Sequence, residues 1–249
     1  GNIPVPTMIS NEKPVQETQA QVYAWLEKEL LEIEPLMSQP SVKKSTDAGY
    51  GRVDKAAAWM LLSRLYLNAE VYTGTAQWAK AAEYAKKVID YAQKLPWVSG
   101  ISIVGHSQGG VVASMVAGEL KKAIKSVALC APAAVLRDDA LRGATQGATY
   151  DPHHIPEYVD LPRGLRMGHD YIATAQTLPI YETALQYKGA VLVIHGTWDV
   201  VVPYTYGERY HQEYKNSRLI LLPKVDHSFT SEEAQNRTAT EITEFITKN

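Results

Sequence analysis

Ile101-Ser102-Ile103-Val104-Gly105-His106-Ser107-Gln108-Gly109-Gly110 is the stretch whose reading decides the fold. A short apolar run enters G-x-S-x-G, and the small, apolar segment 111–118 follows it. The pattern predicts a strand, a sharp turn and a helix, the context in which Ser107 becomes an exposed nucleophile. Crowding at that corner assigns the glycines: Gly105 and Gly109 leave out side chains two positions before and after the serine. The turn also presents the backbone N–H of Gln108 where an oxyanion would form. By itself the pentapeptide reads equally as a Gly-Ser loop between a strand and a helix.

Downstream, short apolar runs over 101–104, 126–131, 190–195 and 218–222 alternate with helical or long irregular segments, which predicts a parallel α/β sheet. A final helix is expected over about 231–247, with Glu232 and Glu233 matching its dipole. Two of the strands lead into residues that a serine nucleophile needs. Val191-Leu192-Val193-Ile194-His195-Gly196-Thr197-Trp198-Asp199 puts Asp199 just past a strand end. Leu219-Ile220-Leu221-Leu222-Pro223 leads to Val225-Asp226-His227-Ser228-Phe229 before the last helix. A serine hydroxyl needs a base to take its proton, and the base needs an acid to orient it. Ser107, Asp199 and His227 follow the chain order of that set in hydrolases, each beyond a strand. An Asp or His in a loop is more often solvated or capping, and His195, His106 or His211 could stand for the histidine.

The chain has 249 residues, 45% hydrophobic and 21% charged, enough for one large or two smaller domains. Its 25 basic and 27 acidic residues give a net charge of -2, so composition offers no reason to expect a nucleic-acid partner. The single cysteine, Cys130, excludes an intrachain disulfide and reads as a small buried hydrophobe. His153-His154 has no third ligand at metal spacing, so no metal or other cofactor is expected. No apolar run reaches the ~18 residues of a membrane span. No signal-peptide core is visible, which makes the cytoplasm the default location and the periplasm the alternative if a signal has been removed.

Upstream the character is all-helical. Residues 1–14 carry Pro4, Pro6 and Pro14 and predict irregular chain. Val22, Leu26, Leu30, Ile33 and Met37 then recur at helical steps, with Trp25 widening the stripe. After a loop over 39–51, a second helix is expected over 53–72, apolar almost all round and so buried, with Gly74 breaking it. A third spans about 75–95, with Ala81, Ala82 and Ala85 allowing close approach. The pair has the look of one tetratricopeptide-type hairpin. GRVDKAAAWMLLSRLYLNAEVYTGTAQWAKAAEYAKKVID, residues 51–90, resembles a helical hairpin of the SusD/RagB-like glycan-binding proteins, as does the ELLEIEPL stretch before it. The resemblance covers about 1–92 and implies a non-enzymatic family that binds oligosaccharide on an aromatic platform. Read from spacing alone, Trp25, Trp59 and Trp78 among alanines are helix-packing core.

From about residue 95 onward the chain resembles α/β-hydrolases of the feruloyl (cinnamoyl) esterase type. The residues that carry this are LPWVSGISIVGHSQGGVVASMVAG, APAAVLRDDALRG, GHDYIATAQTLPIYETA, VLVIHGTWDVVVPY and DHSF. Two families in tandem make the chain a chimera, with domains 1–94 and 95–249 and a join near 88–95. The resemblance implies a lid over about 135–185 and a small-molecule ester substrate, a hydroxycinnamate ester of plant polysaccharide. It makes Asp139, Gln146 and Tyr171 the equivalents of residues that touch the phenolic ring, with Asp138 close behind and His106 added as a substrate contact. It also implies acyl transfer through an acyl-enzyme on Ser107.

Such a hydrolase carries several strands and an oxyanion loop ahead of the elbow, and residues 1–94 do not read as either. The expected consequences are an impaired hole with Gln108 as its one donor and a nucleophile strand with an unpaired edge open to another copy of the chain. A non-catalytic, SusD-like carbohydrate- or partner-binding protein is the alternative. Peptidase or thioesterase action remains open as well, because a triad does not fix the acyl substrate.

Overall fold

A computed structural model describes residues 3–5, 13–41, 45–75 and 77–249. The chain divides into two units, Gly1–Ser99 and Gly100–Asn249. Parts of the irregular stretch expected over 1–14 and of the loop expected over 39–51 lie outside the described residues, as does residue 76 within the third expected helix. Among the described residues no helix is long and apolar enough to cross a membrane.

The first unit opens with β1 (Ile3–Pro4) antiparallel to β2 (Gln16–Glu17). Helix α1 (Gln19–Ile33) starts at a capping box, in which Thr18 and Gln21 satisfy each other's backbone N–H groups. The expected stripe on this helix needs correction. Tyr23 is its buried residue, whereas Leu26 and Ile33 stay exposed. The second expected helix is two: α2 (Lys55–Leu67) and α3 (Ala69–Thr73). Asn68 separates them, with ψ at 9°, its backbone N–H shared among three preceding carbonyls and its side-chain amide donating to the Arg64 carbonyl at 2.8 Å. Gly74, at φ 75°, ends α3. Helix α4 (Trp78–Ala92) packs on α2, where the Ser63 hydroxyl donates to the Ala81 carbonyl at 2.9 Å.

Tyr23, Leu62, Tyr66, Ala69 and Ala81 form the core of this unit. That core is narrower than the all-round apolarity of α2 predicts. Met60, Leu61 and Leu67 are more than half exposed, because within the unit α1 and α4 cover only part of the helix. The core assignment of the tryptophans also fails for Trp78, exposed at the first position of α4, and for Trp25. Trp59 is half-buried and donates from its indole nitrogen to Glu34 at 3.0 Å.

The second unit is a parallel sheet between helices. Its strands are β3 (Ser102–His106), β4 (Ser126–Cys130), β9 (Ala190–Gly196) and β10 (Ser217–Leu222), in spatial order β10-β9-β4-β3. All three pairings are parallel, and β4 and the first six residues of β9 are buried throughout apart from the partly exposed Ala190. Continuous apolar runs of this kind are what a sheet covered on both faces requires. Helix α5 (Gln108–Leu120) follows β3, and α6 (Val135–Arg142) follows β4.

The segment expected as a lid is more structured than an irregular insertion. Two hairpins, β5 (Ala144–Thr145) with β6 (Ala148–Thr149) and β7 (Tyr158–Leu161) with β8 (Leu165–Gly168), lead to α7 (His169–Thr177) and α8 (Ile180–Ala184). They build a small core of their own from Ala140, Val159, Ile172 and Ala175. Helix α9 (Thr205–Glu213) and α10 (Glu232–Lys248), capped by Ser231 on the Ala234 N–H, complete the unit.

Candidate active site

All four strands run the same way, so the turns after β3, β4, β9 and β10 open at one edge of the sheet. Ser107 occupies the turn after β3 with φ 56° and ψ −125°, a backbone region that a side chain strains to adopt. Its N–H donates to the Cys130 carbonyl at 2.9 Å, and its own carbonyl accepts from Ala133 at 3.0 Å, so the strain is held from both sides. Gly105 is required here, since a Cβ on it would lie 2.1 Å from the Gly109 carbonyl oxygen. Gly109 itself is not crowded: a Cβ there would meet nothing within 4 Å. The second tight position is Gly110, whose added Cβ would sit 3.0 Å from Pro132. The corner therefore needs the first glycine of the motif and the one just after its end.

The Ser107 hydroxyl lies 2.9 Å from His227 Nε2, and His227 Nδ1 lies 2.7 Å from Asp199 Oδ2. A carboxylate only accepts, so Nδ1 carries the hydrogen and Nε2 is free to accept from the serine. The Asp199 carboxylate is buried, and burial alone would raise its pKa. Hydrogen bonds from His195, His227 and the Val202 N–H outweigh that and hold it well below the ordinary carboxylate range. Val201 and Val202 donate their N–H groups to Oδ1 at 2.9 and 2.7 Å.

Gly196 lets the Asp199 and His227 loops close on each other, because a Cβ on it would meet the Val225 carbonyl oxygen at 2.2 Å. Trp198 donates its N–H to that same carbonyl at 3.0 Å. Gly196 belongs to no motif in the sequence; its place between strand and acid is the one signal that marks it.

A cavity of about 340 Å³ opens beside Ser107 and Gln108. Asp139, Gln146 and Tyr171 line it, together with Thr145, Tyr150 and Arg166, which the sequence did not point to. Gln108 is the first residue of α5, so its N–H has no acceptor within the helix. Its side-chain amide donates to the Tyr171 hydroxyl oxygen at 2.6 Å, tying the elbow to α7. Burial raises Asp139 above its ordinary value, although the Thr145 hydroxyl and the Arg142 guanidinium pull the other way. The Tyr150 hydroxyl is buried with no hydrogen-bond partner among the described residues.

Two expected substrate contacts lie elsewhere. Asp138 is not in the cavity wall; it accepts from the Tyr206 hydroxyl at 2.7 Å, because successive residues of α6 point in different directions. His106 is not in the wall either. Its Nε2 donates to the His227 carbonyl at 2.8 Å and its ring packs on the His227 ring at 4.9 Å, so it supports the loop that carries the histidine.

A parallel sheet with a serine at a strained strand-to-helix turn, and an acid and a histidine beyond later strands, makes this unit an α/β-hydrolase. Residues 74–249 match the prolyl oligopeptidase family, and the chain belongs to it. Among solved structures, Est1E from Butyrivibrio proteoclasticus is similar at 26% identity and a TM-score of 0.61, over 84% of this chain and 85% of that one. Est1E with ferulic acid bound matches at 30% identity and a TM-score of 0.59, over 69% and 68%. Mouse α/β hydrolase domain-containing protein 10, at 18% identity and a TM-score of 0.50, shares the fold over 68% of this chain and 69% of its own. The starch-binding protein SusD of Bacteroides thetaiotaomicron is 47% identical over 95 residues, 38% of this chain. That match spans only 16% of SusD's length. The chain thus joins a SusD-like helical fragment to a feruloyl-esterase-like α/β-hydrolase.

Proposed function

We propose that the second unit is a serine carboxylic-ester hydrolase that cleaves hydroxycinnamate esters through an acyl-enzyme. The observation that carries this reading is the continuous hydrogen-bonded chain from Ser107 through His227 to Asp199, beside a cavity whose largely aliphatic wall carries two tyrosines and several polar side chains. His227 Nε2 takes the hydroxyl proton as Ser107 Oγ attacks the ester carbonyl, and Asp199 stabilises the imidazolium. The Gln108 N–H donates to the oxyanion. His227 then protonates the departing alcohol, and a water deprotonated by His227 releases the acid from Ser107. Asp139, Gln146 and Tyr171 are the proposed contacts of the phenolic ring, and the ferulic acid bound by Est1E supports that substrate class.

Gln108 is the one oxyanion donor this reading assigns. A hole that lacks its second donor turns over about 100- to 1000-fold more slowly, so slow hydrolysis is the expectation. The test is release of ferulate from methyl ferulate, and of p-nitrophenol from its acetate, by wild type and Ser107→Ala. A wild-type rate well above that of the variant supports the reading; two equally inert proteins defeat it. A panel that adds thioesters and prolyl peptides separates ester hydrolysis from the other acyl substrates.

The exposed Trp25 and Trp78, with the similarity to SusD, favour a second reading in which the helical unit binds carbohydrate. Calorimetry with malto-oligosaccharides would show heat lost on Trp78→Ala if it holds, and no heat with either protein if it does not.

A further inference from the structure

We infer that His195 is a positioning residue, which fixes the Asp199 carboxylate so that His227 meets it in one orientation. The inference rests on the reading of Ser107, His227 and Asp199 as the reacting set. His195 is the sixth residue of β9, and its side chain is fully buried. Its Nε2 lies 3.2 Å from Asp199 Oδ2 and 3.0 Å from the Val202 carbonyl oxygen. Both of those atoms only accept, so Nε2 carries a hydrogen and shares it between them. One donor thereby ties the acid to the far end of its own loop and ties both to the sheet. Asp199 ends with every approach occupied: two loop N–H groups on Oδ1, and the two imidazoles on Oδ2.

The other face of the His195 ring argues against a packing role. Among the described residues Nδ1 is buried without a partner, and the space beside it is closed, since a Cβ on Gly207 would lie 2.6 Å away. A buried polar atom left unsatisfied is a cost that an apolar side chain of similar size would avoid. What such a side chain would lose is the Nε2 hydrogen. With Oδ2 held only by His227, the carboxylate would gain freedom to swing, and small misplacements of a reacting set are expensive in rate.

Two substitutions of the same chemistry but different reach decide the matter. The amide nitrogen of His195→Gln reaches the place of Nε2, and that of His195→Asn stops short of it. Both are measured for the rate of Ser107 labelling by a fluorophosphonate, for the downfield proton resonance of the His227 Nδ1–H, and for kcat and KM on methyl ferulate. His195→Gln is expected to keep labelling within about threefold of wild type with the resonance in place. His195→Asn is expected to lose about tenfold or more, in kcat rather than KM, with the resonance shifted or broadened. Equal labelling and equal resonances in the two variants would overturn the inference, and so would failure of both to fold, which would assign His195 to stability alone. A wild type that does not label overturns the reading of the site itself, and this inference with it; a labelled wild type with indistinguishable variants overturns this inference only.

Discussion

At Ser107 a side chain occupies backbone space that favours glycine, and the residues around it absorb the consequence. Gly105 and Gly109 look equivalent in the motif but do different jobs. Gly105→Ala would place a Cβ 2.1 Å from the Gly109 carbonyl oxygen, a clash with backbone that cannot turn away. Its expected cost is about 1–3 kcal/mol or more, read as a drop of several degrees in the melting temperature. Gly109→Ala, at the second position of α5, meets open space among the described residues and should be neutral or stabilising by at most about 0.5–1 kcal/mol. A differential scan of the two variants separates them, and equal losses would contradict the assignment. That Ser107, Asp199 and His227 meet at one edge of the sheet was legible in the sequence, because chain order and strand ends constrain where each falls. Gly196 was not, because its closeness to Val225 arises only when two loops distant in sequence close on each other, and the contacts of His195 were not, because they depend on how one loop folds back on its own strand. His106 and Asp138, which the family resemblance made substrate contacts, lie outside the cavity wall, and only the fold shows which way each side chain faces.

Among the elements, the loops after β9 and β10 carry the charge that the site depends on. The folded state holds Asp199 below its ordinary pKa, so the group adds stability above its unfolded value near ~3.9. That stability is lost as pH falls through the folded value. Asp199→Asn should therefore melt with a flatter pH dependence than wild type from about pH 5 downward, and parallel curves would contradict the account. The two lid hairpins and α7 present a second test. Tyr171 holds the Gln108 side chain and faces the cavity, so Tyr171→Phe should raise KM for methyl ferulate several-fold with kcat little changed. A fall in kcat alone would place the residue in the oxyanion machinery instead. The parallel strands were readable as apolar runs, whereas the lid hairpins were not, since two- to four-residue strands leave little pattern. The break at Asn68 escaped for a related reason: apolarity continues across it, and a single side-chain hydrogen bond ends the helix.

For the molecule as a whole, similarities to two families stand in tandem, and each unit leaves apolar side chains exposed. In the hydrolase unit, β3 pairs with β4 on one side, and among the described residues no strand pairs with its other side. Val104, in the middle of that strand, is 48% exposed. An apolar edge of this kind invites a second copy. Light scattering is therefore expected to give a mass above the 27.6 kDa of one chain as concentration rises, and Val104→Lys is expected to restore that value. A monomer at every concentration would show that the edge is otherwise protected. In the helical unit, Met60, Leu61 and Leu67 of α2 are more than half exposed.

The claim on which the rest depends is that Ser107 is a nucleophile activated through His227 and Asp199. Incubation with a fluorophosphonate, followed by peptide mapping, tests it without requiring fast turnover. The account predicts one adduct, on Ser107, formed by wild type and strongly slowed in Asp199→Asn and His227→Ala. An unmodified Ser107, or labelling that ignores both substitutions, would contradict it.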